Sequence, residues 1–186
     1  MTLEDQAIRL RRLIEKSAAD GYLLFDQVEE LLPEGFAGGR ELDDLLFAIE
    51  SAGVEILDEP KAGWDGAADT VVRDYTDDPV QVYTREVCNV AALSRDQELA
   101  LAKQLQSDEP AAERAKQDLV EPNLRMVVSI AQRHADRGVH VLDLVIQGNQ
   151  GLMDALAHFD GQRGYRFSSY AIWWVRRRIH LVIPSA

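Results

Sequence analysis

The chain has 186 residues, 46% of them apolar, and a formal net charge of −12. An apolar share of this size excludes wholesale disorder, the single cysteine excludes an internal disulfide, and no apolar run approaches the ~20 residues of a membrane span. The length leaves room for one larger domain or two small ones, and with no signal peptide after Met1 the expected compartment is the cytoplasm.

The charge is uneven. Residues 1–60 hold 15 acidic against 5 basic side chains, residues 61–122 hold 13 against 7, and residues 123–186 hold 4 against 8. An acidic front and a basic back fit self-association or a partner of each sign. The plainer alternative is a solvated acidic face.

Taken in order, residues 1–59 read as a small helical module. Leu3, Ala7, Leu10, Leu13 and Ile14 recur at helical spacing, and Asp20-Gly21 ends that helix. In "YLLFDQVEELLPEG" Asp26 is the N-cap candidate, and Pro33 with Gly35 is the stop. Leu42, Leu45, Leu46 and Ile49 share a face of a third helix closed by Gly53, and "VEIL" reads as a short extended end. Residues 60–78, rich in Gly, Ala and Asp without a period, read as a linker.

Helix resumes at Pro79, which suits a first turn, with Val80, Tyr83 and Val87 following. Ser94-x-x-Gln97 is a capping box opening Leu99, Leu101, Ala102 and Leu105. "SDEP" breaks that helix, and Ala111–Val120 forms the next. "NLRMVVSIAQRHADRG" is a separate amphipathic helix closed by Gly138. In Val141–Phe159 the expected core positions are Leu142, Val145, Asn149, Leu152 and Leu156, with Asp143, Ile146, Gln147, Gln150 and Asp154 on the other face. Gly148 costs about 1 kcal/mol against Ala inside a helix, which points to close packing there. "DGQRGYRF" is a turn, and Ser168 or Ser169 caps a last helix running to about Ile183. No strand signal of weight appears, so the class is mainly α.

The last helix, "FSSYAIWWVRRRIH", concentrates aromatics and arginines. Ile172, Val175, Ile179 and Val182 make its core stripe. Trp173, Arg176, Arg177 and His180 fall on another face with Tyr170 and Trp174 at its edge, and Tyr165 and Phe167 extend that surface from the turn. Aromatic rings beside guanidinium groups suit single-stranded nucleic acid: bases stack at about 1–3 kcal/mol each, and arginines track phosphates.

The run from Asn123 to Ile179 resembles region two, the promoter-melting region of bacterial RNA polymerase sigma factors of the primary sigma-70 type. "DPVQVYTREVCNVAALSRDQELALAKQL" resembles the helical segment before region two. "LRRLIEKSAADGYLLFDQVEELLPEG" resembles the acidic autoinhibitory segment of primary members. The resemblance implies a helical N-terminal module, a linker, and a core-polymerase and −10 promoter-binding domain over residues 79–183. It implies that bases of the non-template −10 strand flip into an aromatic and polar pocket, without a cofactor. The matching positions are Phe159, Asp160, Arg163, Tyr165, Phe167, Ser169 and Tyr170. Trp173 and Trp174 match the pair wedged at the upstream fork, and Asn123, Met126 and Ser168 fall where a second flipped base is held. The helix carrying Asp143, Ile146, Gln147 and Gln150 matches the surface that grips the clamp helices of the polymerase β-prime subunit. An anti-sigma factor is a further candidate partner. The acidic front would imitate DNA.

Three departures matter. Residues answering to the family's later domains do not follow Ala186, so the expectation divides between an initiator's N-terminal portion and a short regulator competing for core polymerase or an anti-sigma factor. Arg177 and His180 stand where the family has Gln and Thr, which read a duplex base pair upstream of the bubble. Ile146 and Gln147 replace a polar pair, with one carboxylate lost from the core-binding face. An enzyme fits poorly: His134, His140, His158 and His180 lack metal-ligand spacing and read as surface or helix-end residues, so no metal site is expected. Cys88 reads as a buried small residue. "GNQG" and "GQRG" match a KH-type G-x-x-G only weakly, without the strands that fold needs.

Overall fold

The computed structural model describes residues 3–32, 39–58, 79–107, 110–135 and 137–184. The chain divides into two units, residues 1–61 and 62–186. The expected stop at Pro33 and Gly35 and the linker over 60–78 lie outside the described residues.

In the first unit α1 (Leu3–Ser17) ends before Gly21, whose φ of +74° turns the chain into β1 (Tyr22–Leu24). After β1 come α2 (Phe25–Glu29), α3 (Arg40–Ser51) and β2 (Glu55–Leu57). The strands pair in parallel, Leu23 opposite Ile56, and both side chains point into a core of Phe25, Val28, Leu42, Leu46 and Ile49. "VEIL" is thus a paired strand, and "YLL" is its unexpected partner. A three-residue strand is too short to show alternation. Asp26 is not the N-cap: Leu24 holds that place, and its N–H donates to Gln27 Oε1 at 3.0 Å. Asp26 lies in the first turn, where a carboxylate complements the helix dipole.

The second unit is helical. It comprises α4 (Pro79–Cys88), α5 (Arg95–Gln104), α6 (Ala111–Arg133), α7 (Val141–His158) and α8 (Phe167–Val182). With those of the first unit this makes eight helices among the described residues, and the fold is mainly α. The capping box holds: Gln97 N–H donates to Ser94 Oγ, and Ser94 N–H to Gln97 Oε1. Cys88 is half-buried rather than buried.

Two expected helices are one. α6 runs from Ala111 to Arg133 straight through Pro122. Proline removes a donor and crowds the preceding turn. Asn123, next after the proline, donates through Nδ2 to the Leu119 carbonyl at 2.7 Å, one residue past the Asp118 carbonyl that an N–H at position 122 would have reached. Leu119, Val127, Val128, Ile130 and Ala131 then bury one side of the helix on both sides of the proline.

Helix α6 packs against α4, α5, α7 and α8, and the most extensive packing is between α7 and α8. The buried line of α7 is Leu144, Val145, Gly148, Gly151, Leu152 and Ala155, while Leu142, Asn149 and Leu156 are only half-buried. The stripe is rotated from the expected one because glycines, not large residues, mark the seam. A Cβ on Gly151 would lie 2.7 Å from the Trp174 carbonyl oxygen and 2.9 Å from Val175 Cα. A Cβ on Gly148 would meet Val127 Cγ1 at 2.5 Å. Close packing at Gly148 was expected; the backbone-to-backbone approach is at Gly151.

Candidate nucleic-acid interface

Helix α8 buries Ile172, Val175 and Ile179 as its spacing predicts, whereas Val182 lies exposed in the last turn. Its N-cap is Arg166, not a serine. The N-terminal turn is satisfied from another helix. Glu98 of α5, 3% exposed, accepts from Ser168 N–H (3.1 Å) and Ser168 Oγ (2.9 Å) with one oxygen, and from Arg166 (2.7 Å) with the other. A buried carboxylate with three donors, one of them a guanidinium, is a strong anchor. Its partners lie about seventy residues away in sequence, so no local pattern announces it.

The aromatics form a chain of rings rather than an open shelf. Phe159 meets Tyr165 at 5.7 Å and Phe167 at 5.2 Å, both edge to face, and lies 5.8 Å from Tyr170. Tyr170 leads on to Trp174 at 6.2 Å, and Trp174 meets Trp173 at 5.1 Å, nearly perpendicular. Tyr165 and Phe167, expected on the surface, are core: they are 1% and 0% exposed. The turn at 160–166 folds them under Phe159, and burying two rings against it outweighs presenting them to water. Tyr170 and Ser169 are also buried, while Phe159 and Trp174 are half-buried. Asp160 is tied into the turn, accepting from Gln162 N–H at 3.0 Å and Gln106 Nε2 at 3.3 Å and facing Arg163 Nε at 3.5 Å.

Trp173 is only 6% exposed, with the Arg177 guanidinium 5.0 Å from its ring centroid. One face of Trp174 is covered by His158, stacked at 4.8 Å with 18° between planes, and its indole N–H has no acceptor among the described residues. The three arginines have different settings. Arg176 is half-buried and Arg177 exposed, while Arg178 binds Asp154 Oδ2 through Nε at 2.6 Å and a terminal nitrogen at 2.5 Å. Asp154 also accepts from Gln150 at 3.3 Å. His158 and the Arg178–Asp154 pair were not singled out for these contacts, whose partners are 16 and 24 residues apart.

Of the remaining candidates, Asn123 and Met126 are buried in α6 and Ser168 is engaged by Glu98. On α7 Asp143 and Gln150 are exposed, Gln147 is half-buried, and Ile146 is 61% exposed. Met153, 50% exposed, lies one further helical step along. No described helix is long and apolar enough to cross a membrane.

Residues 119–181 match the family model for sigma-70 region 2, and residues 4–81 match that for sigma-70 factor region 1.1. The chain is 40% identical over 160 residues to RNA polymerase sigma factor SigA of Lactococcus lactis subsp. cremoris, covering 77% of this chain and 44% of that protein. It is 34% identical over 180 residues to SigA of Clostridium acetobutylicum, covering 95% and 47%. It is 36% identical over 188 residues to SigA of Listeria monocytogenes, covering 93% and 50%. The chain therefore spans half or less of the length of these relatives. The matches fall on both units and on the aromatic–arginine helix, and the chain belongs to the sigma-70 family, of which it carries region 1.1 and region 2.

Proposed function

We propose that this chain acts in the cytoplasm by attaching to core RNA polymerase and holding the melted non-template −10 strand of a promoter along α8. The observation that carries this reading is the division of α8. One side is locked against α7 through Gly151, and the other presents Arg177 over Trp173 in the part of the chain with a basic balance. A rigid helix with rings beside guanidinium groups offers stacking and phosphate contact without ordering a loop first.

The buried rings refine how a base is taken. Tyr165, Phe167 and Tyr170 act as pocket walls, and Phe159 and Trp174 are the rings a flipped base reaches first. The energy for melting comes from binding the unstacked bases rather than from a chemical step. Asn123, Met126 and Ser168 would accept a second base after Ser168 leaves Glu98. Asp143, Ile146, Gln147 and Gln150 form the polymerase-facing stripe of α7, joined by Met153, and its target is the clamp helices of β-prime. With Ile146 in place of a polar residue that stripe binds core polymerase more weakly than the family norm. The same stripe is open to an anti-sigma factor.

Titration of a labelled single-stranded −10 oligonucleotide tests the DNA side. Affinity should fall by roughly two decades per decade of salt for about three phosphate contacts. An interaction indifferent to salt would sink the arginine role. Purified core polymerase tests the rest: promoter-specific melting supports initiation, and competition with a full sigma factor without melting supports the competitor reading.

A further inference from the structure

His134 closes the C-terminal end of α6 and is 9% exposed. Its Nδ1 lies 2.8 Å from the Ile130 carbonyl oxygen. A carbonyl only accepts, so Nδ1 carries the proton and the lone pair of the neutral ring is on Nε2. That nitrogen faces His180 Nε2 of α8 at 3.2 Å, and the ring centroids are 5.1 Å apart. His180 is itself exposed, in the last turn of its helix.

Two imidazoles bound to one tetrahedral ion at the usual zinc–nitrogen length would stand about 3.3 Å apart at nitrogen and about 5.2 Å apart at the centroids. A head-on N–H···N bond of the observed length would put the centroids about 5.5 Å apart. The observed pair fits the chelating angle better than the head-on one. The hydrogen bond from His134 Nδ1 to a backbone carbonyl is the outer-shell contact that fixes a histidine ligand's tautomer.

We propose that His134 and His180 form a two-histidine site for Zn2+ or a similar borderline transition metal, stapling the end of α6 to the end of α8. The remaining coordination positions fall to water on the exposed His180 side. Forming the site requires His180 to shift its proton from Nε2 to Nδ1, with Nε2 becoming the ligand; His134 already has the required tautomer. The two residues are 46 apart in sequence, so ligand spacing along the chain cannot reveal them. The inference stands apart from the DNA-binding reading, although occupancy would hold His180 at α6.

The test is a thermal-unfolding titration of the whole chain with ZnCl2, with MgCl2 as control. Zinc at ten times its Kd should shift the unfolding equilibrium about tenfold toward the folded form, and magnesium should not. His180→Ala, a change at an exposed side chain, should abolish the zinc response; His134→Ala should do the same where it folds. Long-range 1H–15N spectra should show zinc on Nε2 of both rings and a proton on both Nδ1 atoms. An absent zinc response, an undiminished one in His180→Ala, or zinc carried by His140 or His158 instead overturns the proposal.

Discussion

Arg177 and Arg178 are neighbours with opposite engagements, and the difference is measurable. Arg178 is committed to Asp154, whereas Arg177 lies exposed across the Trp173 ring. Replacing Arg177 with Gln should lower the salt slope for single-stranded DNA by about 0.7, the loss of one phosphate contact. On a forked template, Arg177→Gln should also change the preference at the adjacent duplex base pair by about 1–3 kcal/mol, since arginine pairs bidentately with guanine. Binding series that vary only that pair decide this, and identical series for both proteins would remove Arg177 from base reading. Arg178→Ala should leave the slope almost unchanged and cost less than about 1 kcal/mol of stability, because its ion pair is partly exposed and screened. Periodicity placed Arg176 and Arg177 on the aromatic face and said nothing of what holds Arg178. Its holder is Asp154, one turn from the end of the neighbouring helix.

At the scale of elements, the α7–α8 seam and the start of α8 are each held by one small feature. Gly151→Ala should destabilise the second unit by about 3 kcal/mol, because the added methyl meets the backbone at Trp174 and Val175, which cannot move without parting the helices. Gly148→Ala should cost less, since its methyl meets Val127 and Ile179 side chains, which can shift, rather than backbone; the helix propensity that alanine recovers, about 1 kcal/mol, is common to both sites. Urea unfolding of both variants checks the order; a Gly148→Ala protein less stable than Gly151→Ala would contradict it. Glu98→Ala should cost about 3–5 kcal/mol, because it leaves Arg166 poorly compensated and the Ser168 donors without their acceptor. Local signals read the capping box at Ser94, the helical class and the buried line of α8 up to Ile179. They misread α6 as two helices, Ala111–Val120 and one opening at Asn123, where long-range packing carries a single helix through Pro122. They also misplaced Tyr165 and Phe167, because an aromatic beside a basic run looks the same in sequence whether it stacks on a ligand or on Phe159.

At the scale of the molecule, the distribution of charge distinguishes the two units. Residues 1–61 hold 15 acidic and 6 basic side chains, so their removal takes the formal charge from −12 to −3. The remaining unit keeps the arginines of α8 and loses most of the field that opposes DNA. A chain beginning at residue 62 should bind the −10 oligonucleotide about tenfold more tightly at low salt. Its advantage should shrink as the Debye length falls from about 10 Å at 0.1 M salt to about 3 Å at 1 M. An acidic unit that acts through its field predicts that convergence. One that merely keeps the chain in solution predicts equal affinity at every ionic strength. One that blocks α8 by a dry apolar contact predicts an advantage that salt does not erase. Paired salt titrations of the two chains separate the three.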